Sequence, residues 1–244
     1  MIANWLKEAK YIVVFSGAGM STESGVPDFR SASGLWRNRD PQMLASTFAM
    51  EHNREEFVEF YRMRMERLKT VKPHAGYAVL SEWGRQLNLK AVITQNTDGL
   101  HEMAGNPNVI TLHGTIRRVH CRLCGKTFPN DRYFSGELYC DCGGFLRPSV
   151  VLFGESLDAE ALSAAGRETG RADLFLVLGS SLTVSPANQF PVMAKQNGAR
   201  LVIVNRDPTP LDGLADAVVR DRPIGEFLQE VSRQLGIEPP AAGG

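Results

Sequence analysis

The chain has no excess charge of either sign and no long apolar run. Its 244 residues carry 27 Lys and Arg against 27 Asp and Glu. This balance gives no support for broad binding to nucleic acid or to a membrane surface. No apolar run has the ~20 residues of a membrane span, and the first residues lack the basic and apolar segments of a signal peptide. We expect a cytoplasmic protein with no direct nucleic-acid partner and no membrane partner.

Cysteine is scarce and confined to one place. The four cysteines form two close pairs, Cys121-x-x-Cys124 and Cys140-x-Cys142. In a reducing compartment such a cluster favours a metal over disulfides, which are the weaker alternative. Four thiolates are typical of a tetrahedral zinc site, and with all four used no position is left for water, so the zinc is expected to be structural. The second pair is tighter than the usual two-residue spacing.

Short apolar runs rich in β-branched residues recur along the chain, separated by helical stretches. The runs cover residues 11–15, 90–94, 109–112, 174–178, 201–204 and 217–219. Continuous apolar runs between helices are typical of parallel strands buried on both faces. The pattern predicts an α/β fold with a Rossmann-like, doubly wound parallel sheet.

Two segments interrupt this alternation. Residues 31–71 are predicted to be a helical insertion, since Phe57, Phe60, Tyr61 and Met65 have helical spacing. The second segment holds all the cysteines and several turn signals and is predicted to be a zinc-binding module. The expected division is a Rossmann-like domain of residues 1–30, 72–114 and 151–237, a smaller domain of residues 31–71 and 115–150, and a disordered tail of residues 238–244.

A glycine-rich loop follows the first predicted strand. Gly17 is expected to permit a tight turn and Gly19 to let the backbone approach a pyrophosphate, while the next helix aims its free N–H groups at the anion. Thr22 stands where the third glycine of the usual fingerprint would be, and no acidic residue follows at the offset that binds a ribose. An ordinary dehydrogenase is therefore disfavoured.

The loop extends beyond a simple turn. A plain strand-to-helix connection would explain the two glycines alone, but the chain continues to Phe29 and Arg30. These residues offer an aromatic face and a guanidinium group that could hold a phosphate or order the loop. The whole loop favours dinucleotide binding, with NAD as the ligand.

Polar side chains follow two further strands. Gln95, Asn96, Thr97 and Asp98 come after the predicted strand at 90–94, where ligands of open α/β sheets bind. His113 lies between another strand and a glycine, and can act as a general base near neutral pH. A lone histidine is more often a core or surface residue, but its place beside a dinucleotide loop favours a catalytic crevice.

Taken together, these motifs resemble those of the sirtuin family. The similar segments lie in order along nearly the whole chain: GAGMSTESGVPDFR at 17–30, TQNTDGLH at 94–101, LHG at 112–114, RPSVVLFGE at 147–155, GSSL at 179–182 and VIVN at 202–205. The resemblance implies an NAD-dependent protein-lysine deacylase that consumes NAD as co-substrate and carries one structural zinc ion. Its expected partners are acylated-lysine proteins or peptides.

The resemblance also implies a reaction and residue roles. The acyl oxygen would attack C1′ of the nicotinamide ribose and expel nicotinamide, after which His113 would deprotonate a ribose hydroxyl. The products would be free lysine, nicotinamide and O-acyl-ADP-ribose.

The implied catalytic residues are His113, Asn96 and Asp98. The implied NAD contacts are Gly17, Ala18, Gly19, Thr22, Phe29, Arg30, Gln95, Thr97, Gly179, Ser180, Ser181, Asn205 and Ile224. Val151, Phe153 and Gly154 would clamp the peptide by strand addition, and Cys121, Cys124, Cys140 and Cys142 would bind zinc. Thr97 departs from the family's common isoleucine or valine by adding a hydroxyl.

Tyr61 and Arg64 bear on the preferred acyl group. They share a helix face, and the desuccinylase and demalonylase branch of the family uses a similar Tyr-x-x-Arg to bind an acyl carboxylate. Ala32 fits that branch, whereas Asp28 replaces its usual threonine. Alternatively, Tyr61 packs in the core and Arg64 is solvated. The hypothesis is an enzyme that removes acetyl groups and also accepts succinyl or malonyl.

Three other classes are open. An ADP-ribosyltransferase would use the same loop and Asn96 without releasing free lysine. A non-enzymatic NAD sensor or zinc-ribbon interaction module is disfavoured by the presence of Asn96, Asp98 and His113. A dehydrogenase is disfavoured by Thr22 and the missing ribose acid.

Overall fold

The computed structural model of the chain describes residues 1–29, 31, 34–37 and 40–238. Within those residues, nine strands form a six-stranded sheet and a three-stranded sheet. None of the helices in this part of the chain is long and apolar enough to cross a membrane. Arg30, Ala32 and residues 239–244 of the predicted tail lie outside the described residues.

The larger sheet is parallel throughout. Its strands are β1 (Ile12–Ser16), β2 (Leu89–Thr94), β3 (Val109–Thr111), β7 (Leu174–Leu178), β8 (Arg200–Val204) and β9 (Ala217–Val219). They lie in the order β3-β2-β1-β7-β8-β9, and each neighbouring pair is parallel. All five residues of β1 and of β7 are buried, as expected for strands covered on both faces. The prediction of a doubly wound α/β sheet is confirmed, with strand ends within one residue of those expected.

Helices cover both faces of this sheet. The α-helices among the described residues are α1 (Ile2–Glu8), α2 (Pro41–Leu44), α3 (Thr47–His52), α4 (Arg54–Leu68), α5 (Ala75–Gln86), α6 (Leu100–Met103), α7 (Arg132–Ser135), α8 (Ala159–Arg171), α9 (Gln189–Gln196) and α10 (Ile224–Gln234). Helices α1, α5 and α10 share an apolar core with one face of the sheet, centred on Trp83, while α8 and α9 pack on the other face around Phe175. This two-sided cover leaves the carboxyl edge of the sheet for the site.

The smaller unit combines helices and an antiparallel sheet. Its strands are β4 (Gly114–Cys121), β5 (Thr127–Pro129) and β6 (Leu146–Val150), in the order β5-β4-β6. Phe57, Phe60, Tyr61 and Met65 are all buried on α4 and pack in one core with residues of this sheet. The helical insertion and the cysteine module therefore contact each other as the predicted small domain requires, although the division of the chain into two domains stays a prediction.

The order of the strands creates a crevice. The chain passes from β1 to β2 on one side and places β7 on the other side of β1. At such a switch point the connections leave in opposite directions, so an opening forms beyond the carboxyl ends of the two strands. The glycine-rich loop leaves β1 at this point.

Candidate active site

A cavity of about 970 Å³ opens beyond the carboxyl ends of the parallel strands and extends to the small unit. Its walls include segments after β1, β2, β7, β8 and β9, together with residues of α4 and the segment after β6. The sequence-predicted site residues that line it are Gly17, Ala18, Gly19, Thr22, Phe29, Tyr61, Arg64, Gln95, Asn96, Thr97, His113, Val151, Phe153, Gly154, Gly179, Ser180, Ser181, Asn205 and Ile224. Asp98 does not line the cavity, and Arg30 lies outside the described residues.

The glycine-rich loop forms one wall through a 3₁₀ helix. This helix spans Ala18–Ser24 and ends at Gly25, whose φ of 84° is left-handed. Gly17 has an extended backbone (φ −125°, ψ −172°), so the expectation that it permits a tight turn is wrong. A Cβ on Gly17 would lie 2.7 Å from the carbonyl oxygen of Gly179. Glycine is required here because two loops pack together, and not because the backbone turns.

Asn96 is held by three hydrogen bonds. Its amide nitrogen Nδ2 donates to the carbonyl of Gly17 at 2.9 Å and to Ser21 Oγ at 3.0 Å, and its backbone N–H donates to Thr94 Oγ1 at 3.0 Å. Both Nδ2 hydrogens are thereby used, which leaves Oδ1 as the side-chain group that can accept from a ligand. The residue is 6% exposed and lines the cavity, so this acceptor stands at a fixed place in the wall.

Asp98 lies behind the wall. One carboxylate oxygen accepts from Ser21 Oγ at 2.7 Å and the other from the backbone N–H of Leu100 at 3.0 Å, while its carbonyl accepts from Arg117 Nε. Because both carboxylate oxygens are occupied within the protein, Asp98 orders Ser21, which in turn accepts from Asn96. The structure thus connects two of the three predicted catalytic residues, but places only Asn96 and His113 at the cavity.

His113 is oriented by the backbone. Its Nδ1 lies 2.9 Å from the carbonyl oxygen of Gln95, which can only accept, so Nδ1 carries the hydrogen. In the neutral ring, Nε2 is then the basic nitrogen. Gln95 itself donates from Nε2 to Ser180 Oγ at 2.7 Å, and the N–H of Val151 donates to the carbonyl of His113 at 3.0 Å. His113 is therefore tied to the strand ends and to the segment predicted to bind substrate.

The backbone of the segment after β6 is only partly paired with other described residues. The N–H of Phe153 donates to the carbonyl of Ala45 at 3.0 Å, and its own carbonyl accepts from the N–H of Thr47 at 3.1 Å. Both backbone groups of Phe153 are occupied, whereas Gly154 makes no backbone hydrogen bond to another described residue. A peptide strand added here would pair with Gly154.

Tyr61 and Arg64 both reach the cavity from α4. Tyr61 is 2% exposed, and burial raises its pKa to about 12 against the opposing effect of Arg64. The Arg64 guanidinium lies 5.2 Å from the ring of Phe29 and donates to Thr97 Oγ1 at 3.4 Å. Burial lowers the pKa of Arg64 against the opposing effects of Tyr61 and Asp98, and none of the ion pairs between described residues includes Arg64. Tyr61 packs in the core, Arg64 is partly exposed at the cavity, and the choice between a carboxylate-binding and a solvated Arg64 stays open. The extra hydroxyl of Thr97 has a partner in Arg64.

Sequence reasoning missed several residues of the walls. Trp36 stacks between Phe29 and Phe60, with ring centroids 5.3 and 5.6 Å apart. Glu23 accepts from the backbone N–H of Gly225 at 2.8 Å and so caps α10, whose start forms the edge near Ile224. A long-range helix cap leaves no pattern in the sequence, and a single tryptophan in a charged segment gives no signal of stacking.

A partly buried ion pair supports the segment near Gly154. Arg147, 5% exposed, pairs with Glu155, and it also donates to the carbonyl of Val150. Burial raises the pKa of Glu155, but the bonds from Arg147 and from the N–H of Leu152 outweigh it and lower the pKa overall. Arg147 and Glu155 are the first and last residues of the segment RPSVVLFGE quoted above. That motif was therefore the sequence feature from which this ion pair could have been predicted.

The four cysteines form a separate cluster away from this cavity. Their Sγ atoms all lie within 4.8 Å of one another, with 3.4 Å between Cys121 and Cys142 and 3.8 Å between Cys124 and Cys140. Four Zn–S bonds of about 2.3 Å in a tetrahedron place the sulfurs about 3.8 Å apart. All four are free thiols, without disulfides. The tight second pair therefore fits a structural zinc site as well as the first.

Backbone amides favour a thiolate in this cluster. Bonds from the backbone N–H groups of Cys124 and Leu123 lower the pKa of Cys121 to about 6. At Cys142 the Gly144 amide lowers the pKa, but bonds to the neighbouring sulfurs, Cys121 first, outweigh it and raise the pKa to about 12. A metal ion bound here would displace the thiol protons of its cysteine ligands.

Comparison with known proteins gives the family. The sequence model of the Sir2 family matches residues 17–186. The NAD-dependent protein deacetylase of Halalkalibacterium halodurans is 60% identical over 96% of this chain and 99% of its own length. The NAD-dependent protein deacylase 1 of Archaeoglobus fulgidus is 40% identical over 94% of this chain and 95% of its own length. A solved Sir2 with a p53 peptide and NAD+ superposes with a TM-score of 0.88, at 34% identity, covering 97% of this chain and 98% of that one. The resemblance inferred from the motifs is confirmed, and the chain belongs to the Sir2 family, the sirtuins.

Proposed function

We propose that this protein is an NAD-dependent protein-lysine deacylase that transfers the acyl group to ADP-ribose and releases nicotinamide. The observation that carries the proposal is the meeting of Asn96, His113 and the glycine-rich loop in one cavity that also reaches Gly154. The relatives named as NAD-dependent deacetylases and the Sir2 solved with 3′-O-acetyl ADP ribose support the same reaction. Its substrates are then acylated-lysine proteins or peptides.

The roles of the residues follow from their contacts. The acyl oxygen attacks C1′ of the nicotinamide ribose, and nicotinamide leaves with the bonding electrons. The Nε2 atom of His113 takes the proton of a ribose hydroxyl, which attacks the imidate; hydrolysis then yields free lysine and O-acyl-ADP-ribose. Asn96 supplies its Oδ1 as a fixed acceptor in the wall. Asp98 acts through Ser21, as a residue that positions Asn96.

The remaining assignments are part of this proposal. The strand ends at 95–97, 179–181 and 205 hold NAD with the loop at 17–29, and α10 closes the adenosine side at Ile224. The cysteine quartet holds zinc, which when bound stabilises the fold of the small unit and takes no part in the reaction. Free thiols arranged for a metal favour a reducing compartment, and we place the protein in the cytoplasm. That it has no direct nucleic-acid partner stays a prediction.

The test is a panel of acyl-lysine peptides with NAD, read by product mass. We expect nicotinamide, free lysine and O-acyl-ADP-ribose from the wild type. In His113→Ala the yield of acyl-ADP-ribose should fall by about 10²–10⁴-fold, which is the contribution of a general base. The control is His52→Ala, which should keep the wild-type yield because His52 is exposed and lies outside the cavity. ADP-ribosylated peptide without free lysine would identify a transferase instead, and no nicotinamide from any peptide would refute the enzyme assignment.

A second activity is removal of succinyl or malonyl groups. It is favoured by Arg64, a partly buried cation that lines the cavity beside Tyr61 and has no carboxylate partner among the described residues. A desolvated guanidinium gains most from an anionic ligand that pairs with it. We therefore propose that Tyr61 and Arg64 bind the carboxylate of such acyl chains.

The measurement is kcat/KM on succinyl and acetyl peptides. Arg64→Met should lower the succinyl value by about tenfold or more, since one lost charged hydrogen bond is worth ~1.5–3 kcal/mol, and should change the acetyl value much less. Arg62→Met is the matched control, because Arg62 lies on the same helix but donates to the carbonyl of Tyr133. Equal losses on both substrates would show that Arg64 serves only the fold of the pocket.

A further inference from the structure

The hydroxyl of Ser21 is the point where three side chains meet behind the wall of the cavity. Ser21 Oγ lies 2.7 Å from a carboxylate oxygen of Asp98, 3.0 Å from Nδ2 of Asn96 and 2.9 Å from the phenolic oxygen of Tyr77. All four residues are less than 9% exposed. Ser21 therefore links Tyr77, which belongs to α5 and does not line the cavity, to Asn96 in the cavity wall.

The direction of each hydrogen bond follows from what the groups can donate. A serine hydroxyl has one hydrogen and two lone pairs. The carboxylate of Asp98 only accepts, so it takes the hydrogen of Ser21. The amide nitrogen of Asn96 donates to Ser21 Oγ, and its second bond, to the carbonyl of Gly17, excludes the flipped amide. Ser21 has no second hydrogen, so its contact with Tyr77 must use the phenolic hydrogen.

The phenol that donates this hydrogen is held rigidly. The ring of Tyr77 makes edge contacts with His74 and His101, with centroids 4.9 and 4.8 Å apart. Burial, and then the charge of Asp98, raise the pKa of Tyr77 well above its ordinary value against the opposing effect of the bond to Ser21. The phenol therefore keeps its hydrogen near neutral pH, and the donor stands at a fixed place.

Without that donor, one lone pair of Ser21 would be buried with no partner among the described residues. An unsatisfied buried acceptor is costly, and rotation of the serine about its Cα–Cβ bond would relieve it. The same rotation would take the acceptor away from Asn96 and the hydrogen away from Asp98. The phenol fills the last bonding position of this hydroxyl and so opposes the rotation.

We propose that Tyr77 is a positioning residue for Asn96, whose phenolic hydrogen completes the bonds of Ser21 and so keeps the amide of Asn96 at its place in the cavity wall. The proposal rests on the function proposed above for that cavity. A tyrosine that only filled the core would be replaceable by phenylalanine once the protein has folded. One that positions Asn96 requires the hydroxyl, and turnover as well as stability depends on it.

Tyr77→Phe removes only this hydroxyl. We expect kcat for nicotinamide release to fall about tenfold, which corresponds to ~1.4 kcal/mol, and the KM for peptide to stay within about twofold of wild type. Tyr133→Phe is the matched control. Tyr133 is equally buried, and its hydroxyl donates to the carbonyl of Leu146 at 3.0 Å in the core of the small unit. Both variants should lower Tm, but only Tyr77→Phe should lower kcat.

A double-mutant cycle shows whether the effect passes through Ser21. Ser21→Ala removes the acceptor of the phenolic hydrogen, so adding Tyr77→Phe to it should cost little more in kcat. Losses that simply add would overturn the proposal. So would a Tyr77→Phe protein whose kcat falls no further than that of Tyr133→Phe.

NMR of the side-chain amide of Asn96 tests the positioning without turnover, with Asn96→Asp to identify the signals. Both Nδ2 hydrogens are bonded in the wild type, so we expect them to exchange slowly with solvent. Exchange should be about tenfold faster in Tyr77→Phe, because Ser21 then opens more often, and unchanged in Tyr133→Phe. Equal exchange in Tyr77→Phe and wild type would overturn the proposal.

The wild type alone decides where Tyr77→Phe folds poorly. The phenolic hydrogen of Tyr77 should show a nuclear Overhauser contact to the Cβ hydrogens of Ser21, and a hydrogen directed elsewhere would refute the donor role. If the wild type released no nicotinamide from any peptide, the proposed function would fail, while the exchange of the Asn96 amide would still decide the role of Tyr77.

Discussion

The N–H of Gly19 donates a 2.8 Å hydrogen bond to the carbonyl oxygen of Gly179, and neither residue has room for a side chain. A Cβ on Gly19 would lie 2.8 Å from the Cα of Gly179, and a Cβ on Gly179 would lie 2.3 Å from the backbone nitrogen of Met20. The loops after β1 and β7 therefore meet backbone to backbone at the switch point of the sheet. This contact closes the floor of the cavity.

Replacing Gly19 with alanine should separate the two loops. Because the obstructing atoms are backbone, neither loop can yield by rotating a side chain, and overpacking of this kind costs about 1–3 kcal/mol. We expect the Kd for NAD, measured by calorimetry, to rise about tenfold or more, with a lower Tm. Gly166→Ala is the control: no atom lies within 4 Å of its Cβ, and alanine favours the helix α8 by up to ~1 kcal/mol. Unchanged NAD affinity in Gly19→Ala would mean that the two loops do not need this contact to form the site.

The glycines illustrate what the sequence could and could not predict. The Gly-x-Gly pattern after an apolar strand predicted the place of the loop and its ligand class, because both depend on neighbours in the chain. The reason for Gly17 lies in a loop more than 160 residues away, and no local pattern encodes that packing. Gly25, whose left-handed φ ends the 3₁₀ helix, is by contrast a local effect.

Removing the metal should unfold the small unit first. The cysteines hold one end of the core that α4 shares with β4 and β6, and Cys121 and Cys140 are buried in that core. We expect one zinc per chain by metal analysis. A strong chelator should lower Tm by about 10 °C, since each kcal/mol is worth ~2–4 °C in a chain of this size. Without chelator, Cys124→Ser should already have a Tm as low as that of the chelated wild type, and the chelator should lower its Tm little further. A metal-free wild type with an unchanged Tm would exclude a structural role.

Gly154 should govern peptide affinity. Its φ is +94°, and a Cβ there would lie 2.9 Å from Thr47 Oγ1. Gly154→Ala is therefore strained by ~1–3 kcal/mol at the position that a peptide strand would pair with. We expect the KM for peptide to rise about tenfold and the KM for NAD to stay near its wild-type value. N-methylation of the peptide amide that meets Gly154 should reproduce the effect on wild type, and a peptide indifferent to that methyl group would contradict strand addition at this residue.

Other site features depended on contacts that only the fold makes. Asn96 and Asp98 share a motif and a polar character, and the family resemblance implied a catalytic role for both. The fold places Asn96 at the cavity, while Asp98 meets Ser21 behind the wall. The spacing of Tyr61 and Arg64 predicted that they share a helix face. It could not predict that Arg64 lies over the ring of Phe29, because Phe29 belongs to a different segment of the chain. Spacing predicts neighbours on one element, and long-range contacts decide which of them reach a ligand.

Acid should destabilise the protein through His101. Its pKa is near 6.5 when unfolded and about 4 in the fold. Between these values the unfolded chain binds a proton that the folded chain does not, so the free energy of unfolding decreases as pH falls through this window. The loss from pH 7 to pH 5 is about 2 kcal/mol from this residue. It is measured by urea unfolding at both pH values.

His101→Gln provides the comparison, because glutamine does not titrate there. The variant retains the cysteines and the other histidines, so acid-induced loss of metal affects both proteins equally and cancels in the difference. We expect wild type to lose about 2 kcal/mol more than His101→Gln between pH 7 and pH 5. Parallel pH profiles would mean that His101 takes up a proton as readily in the fold as in the unfolded chain. The lowered pKa of the buried His101 ring would then be wrong.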